Sequence, residues 1–156
     1  MCTALDLVRE KQDEVAALAP DASALDAANL MNDRRIGSVL VMEGPDPGIP
    51  HSPDTPHRLM GIFTERDMLR RIVAAGRDPE TTLLRDVMTS PVACALPHTT
   101  LEEMRLVIRN RRVRHLPVVD DNGVVLGIVS IGDLNRADRA VQEQTIHYLE
   151  QYISVG

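Results

Sequence analysis

Aromatic side chains are nearly missing from this chain: one Phe, two Tyr and no Trp in 156 residues. A core must therefore be built from Val, Leu, Ile, Ala and Met, and the 44% hydrophobic content allows one. The lack of Trp also removes the stacking platforms on which single-stranded nucleic acid is held. Cysteine is scarce: Cys2 and Cys94 stand without metal-type spacing, which excludes a disulfide framework. No apolar run reaches the roughly 18 residues that a membrane-spanning helix needs. The net charge of −6 and the lack of a basic tail argue against a nucleic-acid surface. The local basic clusters, Arg34 with Arg35 and residues 109–114, point to small anions instead. The opening MCTALDLVREKQDE lacks the basic-then-apolar pattern of a secretory signal, so a soluble, cytoplasmic protein is the expectation.

What the chain does have is an internal repeat. PDASALDAANLMNDRRIGSVLV, from Pro20, lies over PHTTLEEMRLVIRNRRVRHLPV, from Pro97, without a gap at an offset of 77. GIFTERD at 61–67 and GIVSIGD at 127–133 align at an offset of 66. The difference falls in an insert in the first copy, residues 44–58, with prolines at 45, 47, 50, 53 and 56. Proline cannot sit inside a paired strand, so the insert reads as a mobile, partly polyproline loop, and its His51 and His57 as solvated. The lead-ins TALDLV at Thr3 and TLLRDV at Thr82 also match.

Each copy reads as a short helix, a brief extended segment (15–18, 92–96), an amphipathic helix, a strand, a hairpin, a second strand and a helix. Leu101, Met104, Val107 and Ile108 carry the helical period in copy two. The strands are predicted at 38–42, 116–119 and 124–130, and DDNG at 120–123 is a strong hairpin signal. The fold class is mixed α/β (α+β): two αβαββα repeats, small mixed sheets with flanking helices. A unit of about 60–70 residues buries little core alone, so the two should pack with pseudo-two-fold symmetry. The division is 1–79, carrying the Pro-rich loop, and 80–156, carrying the C-terminal helix.

Thr64-x-x-Asp67 and Ser130-x-x-Asp133 each precede a helix. That spacing is close to a capping box, and an acid there favours the positive helix end. The same geometry suits a nucleotide. A helix N-terminus accepts anions, and a carboxylate only accepts hydrogen bonds, as a ribose cis-diol requires. Arg114, His115 and Arg66 would then serve phosphates. Both readings stand at this point.

These residues carry a resemblance. The repeat, RHLPVVDDNGVVLGIVSIGDL in the second copy and RIGSVLVM with GIFTERDML in the first resemble a pair of CBS domains, over essentially the whole chain. The resemblance implies clefts between the units that bind adenosine-containing ligands. Asp67 and Asp133 would hold ribose, with Thr64 and Ser130 beside ribose and phosphate. Arg114, His115 and Pro117 would give phosphate contacts and apolar walls, Ser90 to Val92 would flank the base, and Ile62 and Ile128 would wall the adenine. The copies differ: the first lacks the Pro and His of HLPV, and the second has Gly132 where the first has Arg66. Two unequal clefts are expected, with Asp133 favoured because Arg114 and His115 align with it.

The function that follows is a regulatory, ligand-sensing module that takes AMP, ADP, ATP, NAD or S-adenosylmethionine and signals to a protein in trans. The alternative is a dimerisation scaffold with vestigial clefts. No nucleophile–base pair and no metal set is present, so neither an enzyme nor an obligatory cofactor is expected. Cys94 reads as a buried strand residue and His98 as a surface residue at a helix start. The C-terminal helix carries Leu134, Ala137, Val141, Ile146, Leu149 and Ile153, a stripe longer than one unit needs, which suggests a homodimer. No membrane or nucleic-acid partner is expected.

Overall fold

The computed structural model describes residues 1–44 and 57–155, with side chains as far as residue 151. In chain order the elements are α1 (Ala4–Lys11), β1 (Ala17–Leu18), α2 (Ala24–Arg34), β2 (Ser38–Glu43), β3 (Arg58–Thr64), α3 (Glu65–Asp67) running on into a π-helix (Met68–Val73), α4 (Leu84–Val87), α5 (Leu101–Arg111), β4 (His115–Val119), β5 (Val125–Ser130) and α6 (Ile131–Val155).

Helix starts are set by local chemistry. Thr3, Ser23, Thr64 and Thr100 close capping boxes with Asp6, Asp26, Asp67 and Glu103. Ser130 and Asp133 do the same for α6. Three helices, α1, α2 and α5, stop at a left-handed residue that is not glycine: Gln12, Arg35 and Arg112.

In the first sheet β2 is central, parallel to β1 and antiparallel to β3; in the second, β4 pairs antiparallel with β5. The hairpin between β4 and β5 closes as expected. Asp120 Oδ1 accepts from the N–H groups of Asn122 and Val124, both at 2.9 Å, and Gly123 takes φ +78°. The extended segment at 92–96 differs from expectation. It makes one parallel bridge, Ala95 to Val118. The ladder stops there because the Leu96 N–H turns to the Thr99 hydroxyl at 2.9 Å, and Pro97 has no N–H to offer. Cys94 is accordingly half-buried and outside any strand, and burial pushes its thiol above the ordinary 9.0.

Packing follows the repeat but exchanges its lead-in helices. Ala4 and Leu7 of α1 are buried with Met104, Ile108, Leu116, Val118, Val129 and Leu134 of the second copy. Leu84 and Val87 of α4 are buried with Ala24, Ala27, Met31, Val39, Phe63 and Ile72 of the first. Main-chain bonds fasten both exchanges: the Ala4 N–H donates to Thr99 O at 2.8 Å, and the Ala24 N–H to Thr82 O at 2.9 Å. The bridges Thr3–Thr100 and Ser23–Leu83 make Leu83, not Thr82, the counterpart of Thr3. The lead-in match is therefore one residue out: with Leu83 under Thr3, Asp86 falls under Asp6. A third cluster, Leu40, Met42 and Ile62 with Val15, Val92, Val125 and Ile128, joins the two halves.

The exchange explains the glycine of each repeated motif. A Cβ on Gly127 would stand 2.6 Å from Val8 Cγ1, and one on Gly61 would stand 2.5 Å from Met88 Sδ. Each glycine lets the lead-in helix of the other copy lie against its strand.

Residues 45–56 of the Pro-rich insert lie outside the described residues. His57, at its edge, is not solvated as expected but buried, with its ring against Gly44. A Cβ on Gly44 would come within 2.5 Å of that ring. In α6, Leu134 is buried and Ala137 packs on the second core, whereas Val141, Ile146, Tyr148 and Leu149 are exposed. Among the described residues no helix is long and apolar enough to cross a membrane.

Val8 is β-branched and held to one rotamer in its helix, so it cannot turn away from a new methyl group. Gly127→Ala should therefore lower stability by about 1–3 kcal/mol, the usual cost of overpacking, seen as a drop in thermal midpoint. Val8→Ala in the same chain should recover part of that loss, so that the double variant is less destabilised than the two single changes together.

Candidate functional site

A cleft of ≈ 310 Å³ opens where the two halves meet. Its second-copy wall is His115, Ile128, Ser130, Asp133 and Arg136. Its first-copy wall comes from α1 and the chain leaving it (Lys11, Asp13, Val15) and from the α2–β2 turn (Arg35, Ile36, Ser38). The exchange of α1 is what delivers Lys11 here.

Asp133 lies at the bottom, 3% exposed. Its Oδ2 accepts from the Ser130 N–H at 2.7 Å and from Lys11 Nζ at 3.0 Å, and its Oδ1 pairs with Arg136. Lys11 also donates to Ile128 O at 3.1 Å. Burial pushes the Asp133 carboxyl up, but the Ser130 N–H and the Lys11 ammonium outweigh it and hold the group below its ordinary 3.8. The carboxylate is thus an ionised acceptor facing a cleft with cations on both sides.

The equivalent group in the first copy sits differently. Asp67 Oδ2 accepts from the Thr64 N–H at 3.0 Å and from the Thr64 hydroxyl at 3.2 Å. The Thr89 hydroxyl reaches both Asp67 oxygens at 3.2 and 3.3 Å, and Arg71 Nε lies 3.6 Å away. Ile62 is buried, and its main chain bonds to Thr89 in both directions at 3.0 and 2.8 Å. Thr89 therefore stands against Asp67 as Lys11 stands against Asp133.

The remaining expected residues scatter. Val92 packs in the junction cluster with Ile62 and Ile128. Pro117 is buried opposite Ile128 in the β4–β5 ladder. Ser90 and Arg114 are exposed, and neither lines the Asp133 cleft. Arg66, also exposed, donates to Arg112 O at 3.4 Å. Of Arg114 and His115, only His115 reaches that cleft. Lys11, Arg35 and Arg136 supply its positive charge; Arg35 belongs to the basic pair that the sequence linked to small anions, whereas Lys11 and Arg136 were not singled out. The repeat held one clue: at the offset of 77, Ser90 to Val92, which the resemblance expects beside a base, correspond to Asp13, Glu14 and Val15, all of which line this cleft. Among the described residues no group of three or more His, Cys, Asp or Glu could hold a metal ion.

His115 sits near the junction, where a Cβ on Gly37 would come 3.5 Å from its ring. Burial lowers its pKa below the ordinary 6.5, as do the Lys11 ammonium and Arg114, while the carboxylates of Glu65 and Asp133 pull it partly back. The fold therefore prefers the neutral ring. This contribution to stability is complete above pH 6.5 and is lost as the pH falls from there through the lowered value. Denaturant titrations from pH 8 to 5 should show wild type losing more stability on acidification than His115→Gln. Parallel curves would remove His115 as the cause.

Comparison with known proteins agrees with this arrangement. The CBS domain family matches residues 6–74 and 84–140. The CBS domain-containing protein YhcV of Bacillus subtilis is 33% identical over 121 residues, which are 78% of this chain and 76% of YhcV. The mitochondrial CBS domain-containing protein CBSX3 of Arabidopsis thaliana is 32% identical over 138 residues, 87% of this chain. The match spans 62% of the length of CBSX3, and 56% of that of a further relative from Methanopyrus kandleri. A solved CBS-domain protein from Burkholderia ambifaria superposes with a TM-score of 0.77 at 28% identity, covering 89% of this chain and 95% of that one. A CBS domain protein from Pyrobaculum aerophilum, solved in complex with AMP, superposes at 0.69 with 23% identity over 85% of this chain and 89% of that one, a likeness of fold. With both family matches falling on the two repeats, and solved CBS proteins sharing their arrangement, this chain belongs to the CBS domain family as a tandem pair.

Proposed function

We propose that the protein is a ligand-sensing regulatory module that binds an adenosine-containing ligand in the Asp133 cleft. The observation that carries this reading is the buried, ionised Asp133 in an interrepeat cleft rimmed by Lys11, Arg35 and Arg136. A ribose diol can donate to that carboxylate. Ile128, Val15 and Ile36 offer an apolar wall for the base, and the cations can meet phosphate. Thr64 and Asp67 form a second position, where the Thr89 hydroxyl already donates to both oxygens of the carboxylate. The AMP complex of the fold-level relative from Pyrobaculum aerophilum supports the ligand class.

Asp133 lies in the first turn of α6, a helix of 25 residues whose outer half carries exposed Val141, Ile146, Tyr148 and Leu149. At 1.5 Å per residue it is about 37 Å long. A ligand that reorganises Asp133 acts directly on the root of this helix, and a second copy or a regulated protein in trans reads its far end. The exposed stripe also favours a second reading, a dimerisation scaffold whose cleft stays closed by Lys11 and Arg136.

Titration calorimetry and thermal shift with AMP, ADP, ATP, NAD and S-adenosylmethionine separate the two. A ligand at 100 times its Kd should stabilise the fold by about 2.7 kcal/mol. Asp133→Asn should weaken binding about ten- to a hundredfold, the worth of a charged hydrogen bond. Silence across the whole panel at millimolar concentration favours the scaffold.

In solution the chain should be a homodimer of about twice its 17.2 kDa mass by light scattering. Removing the residues after Gln142 should shift it toward monomer. A wild-type protein that stays monomeric at high concentration contradicts this assembly.

A further inference from the structure

The two motif carboxylates are restrained by different chemistry. Asp67 meets a neutral hydroxyl, that of Thr89, and a more distant Arg71. Asp133 meets an ammonium and a guanidinium, one at each oxygen. Lys11 comes from the exchanged helix α1 and ends it, immediately before the left-handed Gln12 where the chain turns along the cleft. Its side chain is 26% exposed, against 65% for Arg136. Its remaining partners are Ile128 O and the exposed Asp13, 3.8 Å away.

We propose that Lys11 is a specificity-determining residue, which makes the Asp133 cleft favour phosphorylated adenosine ligands over adenosine itself. This rests on the ligand-sensing reading above. A ribose diol can reach Asp133 only by sharing or displacing the contacts of Lys11 and Arg136. Arg136 is exposed enough to return to water. Lys11 is mostly buried, and an ammonium that loses its carboxylate there is left with weak compensation. A ligand with a phosphate hands Lys11 a replacement anion, with Arg35 on the facing wall. A neutral nucleoside brings none. The cleft thus holds its own carboxylate closed with a lysine that only an anionic ligand resettles.

The test compares AMP and adenosine by calorimetry at one fixed ionic strength, on the full chain, for wild type, Lys11→Met and Lys11→Arg. Methionine keeps the helix propensity and most of the apolar stem. Wild type should bind AMP more than tenfold tighter than adenosine. Lys11→Met should shrink that ratio at least tenfold, with AMP weakened and adenosine unchanged or tightened, and Lys11→Arg should keep most of it. A wild-type ratio near one, or a ratio unmoved by Lys11→Met, overturns the role of Lys11 while leaving the sensor intact. Binding of no adenosine compound by wild type overturns the sensor, and this inference with it. A ligand-free measurement stands beside these: the thermal midpoints of Lys11→Met, Asp133→Asn and the double variant should be non-additive. Additive shifts would mean that Lys11 does not hold Asp133 in solution, which also overturns the proposal.

Discussion

The exchange of the two lead-in helices is the constraint on which the remaining structure depends. Each repeat is short, and its two or three strands expose an apolar face that the repeat's own helices do not fully cover. The missing cover comes from the other half: Ala4 and Leu7 seal the second core, and Leu84 and Val87 seal the first. The chain must then cross the junction twice, once after α1 and once after α4. Those crossings, with Val15 and Val92, build the shared cluster that holds the halves together. Cooperativity between the repeats follows, since loss of either lead-in helix uncovers a core in the other half. The motif glycines belong to the same constraint, because a side chain at Gly61 or Gly127 would push the exchanged helix off its strand.

The cleft is a by-product of this crossing. After α1 docks on the second repeat, residues 11–16 return to the first sheet past the N-terminus of α6, and the space they bound is the cavity at Asp133. Capping and binding are therefore not competing accounts of the T/S-x-x-D spacing. Asp133 completes a capping box with Ser130 through its Oδ2 and still turns both oxygens to cations in the cleft. Asp67 caps in the same way but meets a hydroxyl instead. Two copies of one motif have thus diverged through the residue that the exchanged segment presents to each, a lysine in one case and a threonine in the other.

The placement of α6 links this site to the surface. Its first two turns carry Asp133 and Arg136 to the cleft and pack Leu134 and Ala137 on the second core, and beyond them Val141, Ile146, Tyr148 and Leu149 are exposed. On the ligand-sensing reading proposed above, this continuity from cleft to exposed apolar side chains is the physical route from ligand to partner.

Much was determined by the sequence alone because it is local. Serine and threonine followed three residues later by an acid start the helices, and the apolar period of α5 and the DDNG turn with its Gly123 need no distant contact to be read. The repeat at offset 77 made two like units certain, and the paired motifs located both carboxylates. Tertiary structure decided what has no local signal. Nothing near Thr3 says that α1 will cover the second core, so Lys11 could not be placed at Asp133, nor Val8 against Gly127. Arg35 belongs to a basic pair that already pointed to small anions, but Arg136 is an ordinary basic residue until the fold brings both to one cavity, while Arg114, beside the HLPV segment, lies outside it. Ile62 and Val92 proved to be junction core, because sealing two small units together uses the apolar residues nearest their shared face. Local patterns specify which elements form; only packing over long sequence separations specifies which surfaces they cover, and the cleft opens only where such packing brings Lys11 and Arg35 to Asp133.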